Sequence, residues 1–245
     1  MIFGIDKAYC LCLDKREEHW LNLQERCESK GIKFCRFLVG EGELFPEEEY
    51  DHIDIPVPER LRNPSGWIYG GDPQLDTLEM MISKKTHHYN AFLSHKKMAK
   101  KALNDGYKNV LFLEDDAYFT DRFDEVVLQL EDYIAALDYD MLFLGWWMGT
   151  EEDDFNESLE KIWREKNQAG VGKAVGDTSG FHGVILREKI LELIANELEP
   201  IEPVDAQLNK RFHDKIQSYC VAPKIIHDKG IFSYCEQKTI KRLKL

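Results

Sequence analysis

Short apolar runs alternate with amphipathic stretches along most of this chain. Residues 8–13 form an apolar run of strand length. From about Arg16 to Lys30 the apolar positions Trp20, Leu23 and Cys27 fall on one helical face, and Gly31 supplies the stop. Residues 32–39 predict a second strand. Strand, helix, strand is the opening of a parallel α/β sheet.

The rhythm breaks between Gly40 and Asn90. This stretch holds Pro46, Pro56, Pro58, Pro64 and Pro73 and the turn Gly70-Gly71-Asp72-Pro73. A loop of such length inside a compact domain is either a flexible cover over a cleft or a decorative insertion. The single element predicted within it is a short helix near residues 75–83.

Beyond it the rhythm resumes. Residues 94–103 predict a helix with Ser94 as N-cap and Gly106 as stop. Residues 110–113 predict a buried strand. Phe123, Val126, Val127, Leu130, Ile134 and Leu137 mark an amphipathic helix. Residues 141–144 predict a strand, 145–176 a second long loop, 181–186 a strand and 188–198 a helix. A short helix at 205–212 follows Pro203, and a late strand covers 216–221. The expected fold class is therefore α/β, a mainly parallel central sheet flanked by helices.

Composition bounds the function. The chain has 245 residues, enough for one large α/β domain. No linker or repeat divides it, so a single domain over 1–245 with a flexible insertion at about 40–90 is expected. No apolar run reaches the ~18 residues of a transmembrane span. The first residues lack a basic start and a small-residue cleavage site, which predicts a cytoplasmic protein. The formal net charge of −13 argues against a nucleic-acid partner, since phosphate binding wants basic stripes. The acidic runs at 41–54 and 151–160 and the basic runs at 96–101 and 238–244 read as solvated faces. The six cysteines, Cys10, Cys12, Cys27, Cys35, Cys220 and Cys235, show neither C-x-x-C nor zinc-finger spacing, so reduced thiols are expected.

The most chemistry per residue lies in Glu114-Asp115-Asp116, directly after the apolar run 110–113. Ligands of open α/β sheets bind outside the carboxyl ends of the strands. Three adjacent acids repel one another unless a cation or solvent neutralises them. A hard divalent ion, Mn²⁺ or Mg²⁺, would do so and would also accept diphosphate oxygens. An acidic turn leading into the next helix fits the same residues. A haloacid-dehalogenase phosphatase fits poorly. It needs two acids separated by one residue at the first strand, whereas these acids lie mid-chain and precede Ala117-Tyr118.

Five stretches resemble glycosyltransferase family 25, the lipopolysaccharide and collagen galactosyltransferase group. Tyr9-Cys10-Leu11-Cys12-Leu13-Asp14-Lys15-Arg16 is similar to its opening strand. Leu93-Ser94-His95, with Ala102-Leu103 and Gly106-Tyr107, is similar to its Ser-His helix. Val110 and the residues up to Asp116 resemble its strand ending in Glu-Asp-Asp. The block Thr178-Ser179-Gly180-Phe181-His182-Gly183-Val184-Ile185-Leu186-Arg187 resembles a fourth motif, although Gly183 is the nearest position to the family's usual Tyr. Pro203-Val204-Asp205 resembles the fifth. Residues 41–89 align with none of the family's motifs.

The resemblance implies a single GT-A (Rossmann-like) domain and a UDP-sugar donor, with galactose or glucose moved to a hydroxyl of a glycan or glycoprotein with inversion. It places a metal on Glu114 and Asp116, with a late histidine, His227, completing the shell. Asp115 would lie beside the donor. Inverting transfer needs a base for the acceptor's proton. Asp205 suits that role and equally suits a helix cap; Asp177 is the reserve. Asp14 and Arg16 are candidates for the nucleotide, or an ordinary helix start and a surface arginine. Ser94 and His95 at a helix start would suit a ribose or anion, though His95 reads equally as a packed core residue. Gly180 would allow close approach of the sugar. Trp146 and Trp147 would offer a stacking face, with one of them in the core. Two other classes stay open. A sugar nucleotidyltransferase would show a Gly-rich phosphate loop, which Asp14-Lys15-Arg16 is not. A non-catalytic carbohydrate-binding domain would keep the fold without turnover.

Overall fold

The computed structural model describes residues 2–13, 17–39, 78–148, 161–163, 165–174, 178–199, 203–228, 232–233 and 238–239. The chain opens as expected with β1 (Lys7–Leu13), α1 (Glu17–Ser29) and β2 (Phe34–Val39). The next described element, α2 (Leu78–Asn104), corrects the sequence reading. Residues 78–104 contain neither Gly nor Pro, so nothing stops the helix extending sixteen residues ahead of Ser94. Ser94 therefore sits inside a helix and caps nothing. The part of the expected insertion over 40–77 lies outside the described residues.

Then follow β3 (Asn109–Glu114), β4 (Ala117–Phe119), α3 (Phe123–Ala136) and β5 (Met141–Phe143). The supposed loop at 145–176 contains two strands, β6 (Trp147–Met148) and β7 (Gly170–Lys173). They are too short, and β7 too rich in glycine, to show a period. β8 (Thr178–Ser179), β9 (Val184–Arg187) and α4 (Glu188–Glu192) come next, α4 running into a π turn at Leu193–Glu197. α5 (Val204–Phe212), β10 (Ser218–Ala222) and β11 (Ile226–Asp228) complete the body. Among the described residues no helix is long and apolar enough to cross a membrane.

Seven strands form the central sheet in the order β2-β1-β3-β9-β5-β10-β7. β1 runs parallel to β2 and β3, and β10 runs parallel to β5. β9 is antiparallel to both β3 and β5, and β7 is antiparallel to β10. The sheet is thus mixed, with three parallel and three antiparallel pairings, and five of its seven strands, β2, β1, β3, β5 and β10, run in one direction. Side chains alternate between two cores. Cys10, Cys12, Leu111, Leu113, Leu142, Ile185 and Val221 pack on one side with Leu23 and Cys27 of α1 and Phe123, Val126 and Ile134 of α3. Tyr9, Phe112, Phe143, Val184 and Leu186 pack on the other with Met98 and Ala102 of α2, Ile190 of α4 and Leu208 of α5. The five described cysteines, Cys10, Cys12, Cys27, Cys35 and Cys220, are free.

Candidate functional site

The parallel strands β1, β3, β5 and β10 all end on one edge of the sheet, and the antiparallel β9 begins there. Glu114 closes β3 and stands in register with Leu11 of β1. The chain then turns through Asp115, which is buried, and the half-buried Asp116 into β4. β4 does not join the main sheet. It pairs with β11 antiparallel, Phe119 opposite Ile226, Tyr118 opposite His227 and Ala117 opposite Asp228. The His227 ring stacks on Tyr118 with centroids 5.8 Å apart. Two segments more than a hundred residues apart in sequence are thereby joined beside the acidic turn.

A backbone knot fixes this junction. The Gly183 carbonyl accepts from the amides of Leu144 and Gly145, at 2.8 and 3.0 Å. The Leu144 carbonyl accepts from Ile225 and Ile226, at 2.9 and 3.1 Å, and the Ile225 carbonyl accepts from Thr120 at 2.9 Å. Two glycines allow so close a passage. A Cβ on Gly145 would lie 2.4 Å from the Ile226 carbonyl oxygen and 2.6 Å from His182 Nε2, and one on Gly183 would lie 2.7 Å from Ile226 Cγ2. A tyrosine at position 183 could not occupy this place, which accounts for the glycine there in physical terms.

His95 reaches the same edge from the interior of α2, so the helix-start argument for Ser94 and His95 does not hold. Its ring stacks on Phe112 (6.3 Å) and meets Phe181 edge-on (5.0 Å). Burial lowers its pKa to about 4, against a bond to the Ala91 carbonyl that acts the other way. The imidazole is consequently neutral at pH 7. Its Nε2 lies 3.7 Å from Glu114 Oε1, too far for a hydrogen bond, and a neutral ring forms no ion pair. Ser94 is likewise buried.

Gly180 and Asp205 do come together. Gly180 follows β8 with φ of 110°, a conformation that favours glycine. Its amide donates to Asp205 Oδ2 at 3.0 Å, and Asp205 Oδ1 accepts from the Ala206 amide at 2.9 Å. Asp205 is the second residue of α5, with Pro203 at the cap position, so its carboxylate holds the neighbouring loop as well as its own helix turn. Burial raises the Asp205 carboxyl above its ordinary pKa, partly countered by those amides.

The described residues give no account of Asp14, Arg16 and Asp177, which lie outside them. Trp146 is a core residue. It is buried, its Nε1 donates to the Val221 carbonyl at 3.0 Å, and Lys224 Nζ stands 4.0 Å from its ring centroid. The backbone of Trp147 pairs with Ser179, bringing β6 against the Gly180 loop. Sequence reasoning missed Asn209, whose Nδ2 donates to the Thr178 carbonyl. Its only signal is the four-residue spacing from Asp205, legible once α5 is known to be a helix.

Chemically, the edge offers oxygen donors suited to a hard cation. Among the described residues no three His, Cys, Asp or Glu side chains gather into a group able to hold an ion by themselves, so Glu114, Asp116 and His227 do not form the three-ligand shell expected from the sequence. Magnesium-type ions are commonly held by one or two carboxylates together with substrate phosphates.

Comparison with protein families and with curated proteins gives no match. Among solved structures the chain is similar to the crystal structure of A197 from STIV, with 10% identity and a TM-score of 0.37, over 87% of this chain and 81% of that one. A likeness of that degree carries no functional argument.

Proposed function

We propose that this chain is a metal-dependent, inverting glycosyltransferase of the GT-A type. It would move a hexose, galactose or glucose, from a UDP-sugar to a hydroxyl of a glycan or glycoprotein. The observation that carries this reading is the run of three acids at the carboxyl end of strand β3 of the main sheet, on the edge where Gly180, Asp205 and His227 also stand. Ligands of α/β sheets bind at such edges.

In this reading Glu114 and Asp116 hold Mn²⁺ or Mg²⁺ with the donor diphosphate, and His227, which is not gathered with them among the described residues, would have to move from its stack on Tyr118 to become a third ligand. The bound ion supplies positive charge against the departing UDP. Asp205 is the candidate base. The Gly180 and Ala206 amides fix its carboxylate in orientation, and its raised pKa makes it a better proton acceptor than an exposed aspartate. Gly180 lets the backbone pass close to the sugar.

A second reading, nucleotide-sugar binding without turnover, draws on the same carboxylate. Both its oxygens already accept backbone amides, which a purely structural aspartate would also do. Hydrolysis and transfer assays with UDP-galactose and UDP-glucose, with Mn²⁺ and with EDTA, separate the two. Mn²⁺-dependent turnover supports the transferase; binding with no turnover toward any acceptor supports the binding domain.

A further inference from the structure

The segment Thr178–Gly180 is held from both sides. On one side it is strand-paired to β6, with Ser179 opposite Trp147 and Thr178 opposite Met148. On the other, two side chains of α5 one helical turn apart grip its backbone at both ends. Asn209 Nδ2 donates to the Thr178 carbonyl, and Asp205 Oδ2 accepts from the Gly180 amide. Residues four apart on a helix share a face, so the two bonds act from one surface on one short segment. A single bond would leave the segment free to pivot; two bonds of opposite polarity, a donor for the carbonyl and an acceptor for the amide, fix its direction as well as its position.

The segment so held ends in Gly180, whose φ of 110° the free chain would not favour over other states available to glycine. Ser179 and Gly180 stay partly exposed while Thr178 is buried. The grip therefore shapes a piece of accessible backbone at the carboxyl edge.

We infer that Asn209 is a positioning residue. With Asp205 it clamps Thr178–Gly180 into the surface against which the hexose of the donor lies, while the nucleotide part of the donor is held elsewhere. This rests on the glycosyl-transfer reading above. It adds to that reading a residue that touches neither the diphosphate nor the metal, and it predicts a split between sugar and nucleotide recognition.

The test uses the full chain and two variants, Asn209→Ala and Asn209→Asp. The second keeps the size of the side chain but removes the N–H donor, so it serves if the first folds poorly. UDP affinity with Mn²⁺ should stay within about twofold of wild type in both. The kcat/KM for UDP-glucose or UDP-galactose should fall by tenfold or more. The Gly180 amide should exchange its hydrogen at least tenfold faster, while the amide of Gly172 in β7 keeps its wild-type rate. Equal losses for UDP and for the UDP-hexose would mean general damage and would overturn the assignment, as would unchanged kcat/KM with unchanged exchange. A wild-type protein with no Mn²⁺-dependent affinity for either UDP-hexose would instead overturn the glycosyl-transfer reading. The exchange measurement then still decides the clamp alone.

Discussion

Replacing Gly183 by alanine probes the junction that carries His227. Neither Gly183 nor Gly145 has a positive φ, so alanine suits the backbone at both and any penalty is one of space. A Cβ at 183 would stand 2.7, 2.8 and 3.1 Å from Cγ2, Cβ and Cδ1 of Ile226. Carbon atoms prefer about 3.5–4.0 Å. The strand cannot simply recoil, because the Gly183 carbonyl accepts from both Leu144 and Gly145 and each such bond is worth about 1 kcal/mol net. Overpacking a tight core costs about 1–3 kcal/mol, and with the bonds at stake we expect about 3 kcal/mol. In a domain of this size that lowers Tm by roughly 6–12 °C.

Truncating Ile226 identifies the cause. Ile226→Ala removes two of the three clashing atoms, so in the Gly183→Ala background it should cost at least about 1 kcal/mol less than alone. In the Gly145→Ala background the two changes should be nearly additive. There the clash is with the Ile226 carbonyl at 2.4 Å and the His182 ring at 2.6 Å, which the truncation leaves in place. Urea unfolding of the three single and two double variants provides the energies. Additivity in both backgrounds, or Gly183→Ala within about 0.5 kcal/mol of wild type, would refute this reasoning.

Three other outcomes follow from the site. His95 has a folded pKa of about 4 against an ordinary 6.5, so it contributes stability that is full above pH 6.5 and lost as the pH falls toward 4. Wild type should lose about 3 kcal/mol more than metal-free His95→Gln over that window, and parallel stability curves would disprove it. Asp205→Asn should cut the transfer rate by about 10²–10⁴ with donor affinity nearly unchanged. A rate within threefold of wild type at saturating substrates would move the base to Asp177. Trp146→Phe leaves the Val221 carbonyl without its indole donor and should destabilise by about 2 kcal/mol without changing UDP affinity, as checked by urea unfolding and calorimetry.

The amphipathic helix at 123–136 and the buried strand at 109–114 were legible because their apolar positions repeat at the helical period or run unbroken. Two kinds of feature were not. The early start of α2 hides in a stretch whose polar residues obscure the period, so the absence of Gly and Pro was a better guide than a serine that looked like a cap. The strands β4, β6, β8 and β11 have two or three residues each and exist only through their pairing, which no local pattern encodes. Within the site, the acids at the end of β3 were visible as residue types after an apolar run. The meeting of His227 with Tyr118 and the bond from Gly180 to Asp205 depend on registers between distant segments. His95 and Trp146 were readable either way from sequence, and burial decides Trp146 as a core residue.

The central claim is a donor site organised by the carboxylates that follow β3. Its most direct test is calorimetric titration of UDP-galactose and UDP-glucose into wild type and a folded Asp116→Ala variant, each with Mn²⁺ and with EDTA. The account predicts binding of at least one donor by wild type with Mn²⁺, loss of that binding in EDTA, and loss of it in the variant under both conditions. Donor affinity that is the same in EDTA as in Mn²⁺, or the same in Asp116→Ala as in wild type, would contradict it.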